Sequence, residues 1–187
     1  MRQHRWWLHT TIVVGAPVLF MVIAAWLSQP WWEYAFLSDD SAVSWLSSAL
    51  LMANAAVAFT LALSGALPIV LGSVIAAALA VLSADEQFLL HERFKQFVPP
   101  WLENAPTVLV GIGGVAVLIF LKRSVRSQPA HRLIAASVAL GVFALWVDLG
   151  SPPPAIARLE EAFEVVAEAL FLSGLLEVSR AQVQSAS

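Results

Sequence analysis

Residues 8–28 read LHTTIVVGAPVLFMVIAAWLS, a run whose only ionisable side chain is His9. A helix of about 20 such residues crosses a hydrocarbon core about 30 Å thick. Five more segments of this kind follow, near 42–63, 67–90, 105–121, 132–149 and 156–178. Backbone in lipid must satisfy its own hydrogen bonds, so each segment reads as a helix. The expected fold is all-α, a polytopic membrane bundle of about six transmembrane helices forming a single domain over residues 1–187. The basic start Met1-Arg2-Gln3-His4-Arg5 invites comparison with a signal peptide. The apolar run after it is too long for one, and no small-residue cleavage site follows cleanly, so the first segment is expected to be retained.

Composition agrees. Of 187 residues, 59% are hydrophobic and 12% charged, against about 25% charged in an ordinary soluble domain. So few charges cannot cover a surface in water. The net charge is −3, and no basic patch with interleaved aromatics occurs, which argues against nucleic acid. The absence of cysteine excludes disulfides, thiolate metal sites and cysteine nucleophiles. Trp6 and Trp7 bracket one end of the first segment, and Trp26, Trp31 and Trp32 the other. Trp45, Trp101 and Trp146 fall near other segment ends, as an aromatic belt requires. Pro68 suits a first helical turn. Pro99-Pro100 and Pro152-Pro153-Pro154 mark linkers.

Basic residues set the orientation. With the N-terminus inside, Arg2, Arg5, Lys122, Arg123, Arg126, Arg132 and Arg180 are inner, and Arg93, Lys95 and Arg158 are outer. This bias predicts both termini in the cytoplasm. Small residues (Ala76, Ala77 and Ala78; Gly111, Gly113 and Gly114; Ala135, Ala136, Ala139 and Gly141) are expected at helix–helix contacts.

On this topology twelve of the 13 acids fall on the outer side: Glu33, Asp39, Asp40, Asp85, Glu86, Glu92, Glu103, Asp148, Glu160, Glu161, Glu164 and Glu168. Only Glu177 is inner. Counting from Arg180 at 1.5 Å per residue puts Glu164 roughly 6 Å and Glu168 roughly 12 Å inside the outer boundary. Spacings of three and four place Glu161, Glu164 and Glu168 on one helical face. A mid-membrane acid costs about 2.5–3.5 kcal/mol on insertion scales, so these carboxylates need protons, a cation or polar partners. The third segment ends in Asp85-Glu86-Gln87-Phe88-Leu89-Leu90-His91-Glu92. In a straight helix Asp85 and Glu92 share a face, Gln87 and His91 share another, and Glu86 turns toward the side of Arg93. Either only Asp85 and Glu92 meet the bundle, or the helix bends here.

Four readings stay open. Carboxylates with one histidine suit a divalent metal such as Zn, Mn, Fe or Ca, although the Glu-x-x-His pair of di-iron bundles is missing. A metal or a split carboxylate pair could support an enzyme. The hydrolase group that includes alkaline ceramidases uses several histidines, whereas only His91 lies on this side. A carboxylate stripe could admit protons or cations, although no inverted repeat is found. Finally, the acids could pair with Arg93, Lys95 and Arg158 or meet a membrane-protein partner, in a structural or accessory role. No mid-span lysine supports retinal. His4, His9 and His131 lie at the inner boundary rather than at haem-ligand depth. Thr10, Thr11, Ser44, Ser47 and Ser48 read as helix–helix hydrogen bonders rather than nucleophiles.

The string Asp85-Glu86-x4-His91-Glu92, with the later Glu160-Glu161-x2-Glu164, resembles a pattern in uncharacterised bacterial multi-pass membrane proteins over residues 80–178. The resemblance implies a bacterial inner membrane and implies that these acids and His91 act as one set. It implies no substrate. The expected metal ligands are therefore Asp85, Glu86, His91, Glu92, Glu161, Glu164 and Glu168, with Asp148, Asn54 and Gln87 behind them.

Overall fold

A computed structural model describes residues 6–37, 41–125, 127–150 and 152–186. Arg2, His4, Arg5, Asp39, Asp40 and Arg126, which enter the charge pattern, lie outside the described residues, as do the side chains of Trp6, His91 and Glu92. The described chain is helical, without strands: α1 (Trp6–Leu27), α2 (Tyr34–Leu37), α3 (Ala42–Leu63), α4 (Ile69–Phe88), α5 (Leu90–Lys95), α6 (Ala105–Ser124), α7 (Gln128–Leu149), α8 (Pro154–Ala157) and α9 (Glu160–Ala186), with a 3-10 turn at Pro100–Leu102.

Local chemistry sets the boundaries. Ser41 caps α3 by accepting the Ser44 N–H at 3.0 Å, and Ser127 caps α7 by accepting that of Ala130, which satisfies otherwise orphaned donors. Pro68 precedes α4, and proline occupies the first turn of α6 and α7, where a missing N–H costs nothing. The tight turn from α3 to α4 uses Gly65 at φ 75°, a conformation that side chains disfavour.

Five helices, α1, α3, α4, α6 and α7, are long and apolar enough to cross a membrane. They coincide with the first five expected segments to within a few residues. The third helix stops earlier than expected, at Phe88, because Leu89 adopts the left-handed conformation (φ 52°, ψ 46°) and the chain restarts as α5. The bend left open by the sequence is therefore a break. The sixth segment starts at Glu160, after the short α8, and continues to Ala186. This helix is long enough to span, but its acids separate it from the apolar five.

Packing explains how α9 tolerates those acids. It is the central helix, packed on α7, α3 and α1, while α4 packs on α3 and α6 on α7. Neighbouring helices thus screen much of its surface from lipid. α3 and α4 are antiparallel: a Cβ on Gly72 would lie 2.6 Å from the Ala62 Cβ. α7 and α9 are also antiparallel, with a Cβ on Gly174 falling 2.5 Å from Ile134 Cγ1 and the Phe143 and Phe163 rings 5.1 Å apart. α3 and α9 run parallel, joined by Gln182 Nε2 donating to the Ser64 carbonyl at 3.1 Å. Close helix approach therefore rests on Gly72 and Gly174. The expected glycine stretches contribute less: Gly111 sits close to Leu145, whereas Gly113 and Gly141 have open space where a Cβ would stand.

The outer surface is apolar. Ile12, Leu19, Val22, Val70, Val74, Val81, Leu109 and Ile112 are all exposed, a continuous belt that lipid solvates and water would not. Trp7, Trp26, Trp31, Trp45, Trp101 and Trp146 are exposed as a belt requires. Trp32 instead tucks inward against Phe36, edge to face at 6.1 Å.

Candidate functional site: a carboxylate ladder at one end of the bundle

The ends of α1, α4 and α7 and the starts of α3, α6 and α9 share one end of the bundle, and the acids gather there. The organising element is α3. Ser44, Ser47, Ser48, Leu51 and Asn54 recur at helical spacing, and all are buried. This stripe faces α4 on one side and α9 on the other.

Three rungs descend from the end. The Ser44 hydroxyl, 2% exposed, donates to Glu86 Oε1 of α4 at 2.8 Å. Ser47, 1% exposed, donates to Glu168 Oε1 of α9 at 2.8 Å. Ser48 and Ser83 form a reciprocal clasp between α3 and α4, each hydroxyl reaching the other's carbonyl at 3.0 and 2.9 Å. Deeper still, Asn54 Nδ2 donates to its own helix at the Leu50 carbonyl (2.9 Å) and across to the Glu168 carbonyl (3.0 Å). Both partners are acceptors, which fixes the orientation of the amide. Ser44, Ser47 and Ser48 thus all bond between helices, as expected. Thr11 bonds within its own helix, to the Trp7 carbonyl.

Two oxygens in this arrangement are left over. Glu168 Oε2 and Asn54 Oδ1 are buried and have no hydrogen-bond partner among the described residues. Asn54 is 0% exposed. Burying an acceptor without a donor costs about 1–3 kcal/mol, more if it is charged. The α3–α9 contact around these two oxygens is therefore suited to a proton or a cation.

Electrostatics joins further acids to the ladder. Glu86 of α4 lies near enough to Glu160, Glu164 and Glu168 of α9 for their charges to interact, and Glu161 is near Glu164 and Glu168. Asp148 of α7 is exposed and within range of Glu160 and Glu164. The expected face of Glu161, Glu164 and Glu168 thus meets α3 through Ser47 and comes within electrostatic range of Glu86. Glu86 corrects the sequence reading: it points into the bundle at Ser44, because it lies three residues after Ser83 on the face of α4 that packs on α3. Asp85 is half-buried beside it, and Gln87 is exposed and away from the ladder. His91 and Glu92 sit on α5, beyond the break. Among the described residues, no three His, Asp or Glu side chains stand ready to hold a metal ion. The residues that sequence reasoning undervalued are Ser44, Ser47 and Ser83. Their signal was the polar spacing along α3 and its complement on α4.

Fold and site define a polytopic α-helical membrane protein with a hydroxyl-supported carboxylate ladder at one end of its bundle. The chain belongs to the family described as Domain of unknown function (DUF8692), whose model matches residues 3–178. No curated protein and no solved structure matches it.

Proposed function

We propose that this protein binds a divalent cation within the membrane, at the ladder formed by α3, α4 and α9. The observation that carries this reading is the pair of buried, partnerless acceptor oxygens, Glu168 Oε2 and Asn54 Oδ1. A cation would satisfy both and would offset the repulsion among Glu86, Glu161, Glu164 and Glu168. Oxygen donors of this kind suit a hard or borderline ion, such as Mn, Fe, Zn or Ca. Glu168, Asn54, Glu164 and Glu86 are the proposed ligands, and Ser44 and Ser47 hold two of the carboxylates in place. Asp85, Glu161, His91 and Glu92 lie at the same end and would complete the coordination as side chains turn onto the ion.

Binding is favoured over conduction by where the polar stripe ends. Past Asn54, the buried residues of α3 are Ala55, Ala58, Leu61 and Ala62, and Ala58 and Leu61 join an apolar core with Leu67, Ile75, Ile134 and Leu175. We place the ladder on the outer side of a bacterial inner membrane, with α9 as the sixth span and both termini cytoplasmic. The Lys and Arg bias supports this orientation. A manganese titration of the detergent-solubilised protein tests the site. Glu164→Gln is expected to weaken binding by about 100-fold or more, beyond what groups that only orient a ligand contribute, whereas Glu103→Gln, an exposed acid at the same end, leaves it unchanged. Equal effects of the two substitutions would refute the ladder as the site.

A further inference from the structure

The connection from α4 to α6, residues 89–104, is the longest between the apolar spans in the described chain. Both of its ends are held by helices able to cross a membrane, so it cannot leave the bilayer surface by more than its own reach. Within it, α5 packs mainly on the end of α4 and is not folded back over the bundle. Its apolar residues are nevertheless large and uncovered: Leu90 is 43% exposed, Phe94 40%, Phe97 85% and Trp101 78%. Leu90 and Phe94, four residues apart, share a face of α5, and Phe97 and Trp101 follow beyond its end at Lys95, Trp101 in the 3-10 turn. Arg93 and Gln96, exposed as well, fall between them. A loop in water gains nothing from four such side chains. A segment lying in the membrane interface gains their burial, because indole and phenyl rings favour that depth and a guanidinium pairs bidentately with phosphate.

We propose that residues 89–104 form an interfacial segment, docked on phospholipid. Leu90, Phe94, Phe97 and Trp101 enter the acyl boundary, and Arg93 meets the lipid phosphate. The apolar side of such a segment sits about 5–10 Å into the boundary between headgroups and chains. His91 and Glu92 are carried by the same α5, so the proposal sets their backbone at headgroup level. The docking itself does not depend on cation binding.

The cysteine-free chain allows a direct test. Single Phe94→Cys, Phe97→Cys, Trp101→Cys and Gln96→Cys variants of the full chain are spin-labelled in phosphatidylethanolamine–phosphatidylglycerol vesicles. Accessibility to oxygen and to a water-soluble nickel complex is then compared. The expected result is an oxygen-to-nickel ratio several-fold higher at 94, 97 and 101 than at 96. Equal, high nickel access at all four positions would place the segment in water and overturn the proposal. Shielding of 94, 97 and 101 from both reagents would also overturn it, in favour of cover by a second polypeptide. Three independent apolar positions keep the test decisive if one variant fails to fold.

Discussion

Glu168→Gln lowers divalent-cation affinity by at least about 100-fold and leaves the bundle folded. The substitution keeps the size and the hydrogen-bonding shape of the side chain. Its amide oxygen can still accept the Ser47 hydroxyl that now reaches Oε1 at 2.8 Å. Its new amide hydrogens can serve the neighbourhood of Asn54 Oδ1, an acceptor without a donor among the described residues. Thermal stability is therefore expected to hold or to rise. What is lost is the anionic oxygen. Groups that merely orient a ligand typically contribute 10–100-fold to metal affinity, so loss of a ligand itself should reach the upper end of that range or pass it. Calorimetric titration with manganese, alongside a melting curve, separates the two effects. Unchanged affinity in a folded variant would remove Glu168 from the site.

Gly72→Ala and Gly174→Ala are each expected to destabilise the protein by about 1–3 kcal/mol, the usual cost of inserting a methyl group into a filled interface. At Gly72 the new methyl would stand 2.6 Å from the Ala62 Cβ and 3.1 Å from the Ala58 carbonyl oxygen, and at Gly174 2.5 Å from Ile134 Cγ1. Backbone lies behind the contact at Gly72, so α4 would have to move away from α3. That movement would pull the Ser48–Ser83 clasp and the Ser44–Glu86 bond apart, so cation affinity should fall together with stability. Gly141→Ala is the internal contrast. It lies in α7 with nothing within 4 Å of a new Cβ, and the better helix propensity of alanine should stabilise by about 0.5–1 kcal/mol. Thermal unfolding of the three variants in one detergent decides the matter. A destabilised Gly141→Ala, or a neutral Gly174→Ala, would contradict the packing described.

The helices were legible because the length of an apolar run reports directly on what it must cross. Five were found to within a few residues for that reason. The face shared by Glu161, Glu164 and Glu168 was legible too, since spacing within one helix is fixed by its geometry. The end of α4 was not. Nothing about leucine announces a left-handed residue, and Leu89 takes that conformation without glycine's freedom. The direction of Glu86 was misread for another reason: which face of α4 packs on α3 is marked by Ser83, whose partner Ser48 only the packing reveals. The partners of Ser44 and Ser47 were legible only in kind. A hydroxyl in a helix can bond its own backbone instead, as Thr60 does to the Ala56 carbonyl at 2.8 Å. Which choice wins depends on what the neighbouring helix brings within reach. The same holds for glycine: composition drew attention to Gly111, Gly113 and Gly114, whereas the tight contacts are made by Gly72 and Gly174, each set by the neighbouring helix opposite it.

At one end of the bundle α9 contributes Glu164 and Glu168, α3 supplies the hydroxyls that hold two of the acids, and α4 brings Glu86 across from the other side. An accessory role, with the acids meeting a partner protein, would leave a proton rather than a cation to meet the buried Glu168 Oε2 and Asn54 Oδ1.

The most direct test is elemental analysis of the purified, detergent-solubilised protein beside a Glu161→Gln/Glu164→Gln double variant. The account predicts roughly one or two equivalents of Mn, Fe, Zn or Ca in the unmodified protein and their loss in the folded double variant. The absence of metal from both, after dialysis against these ions, would contradict it.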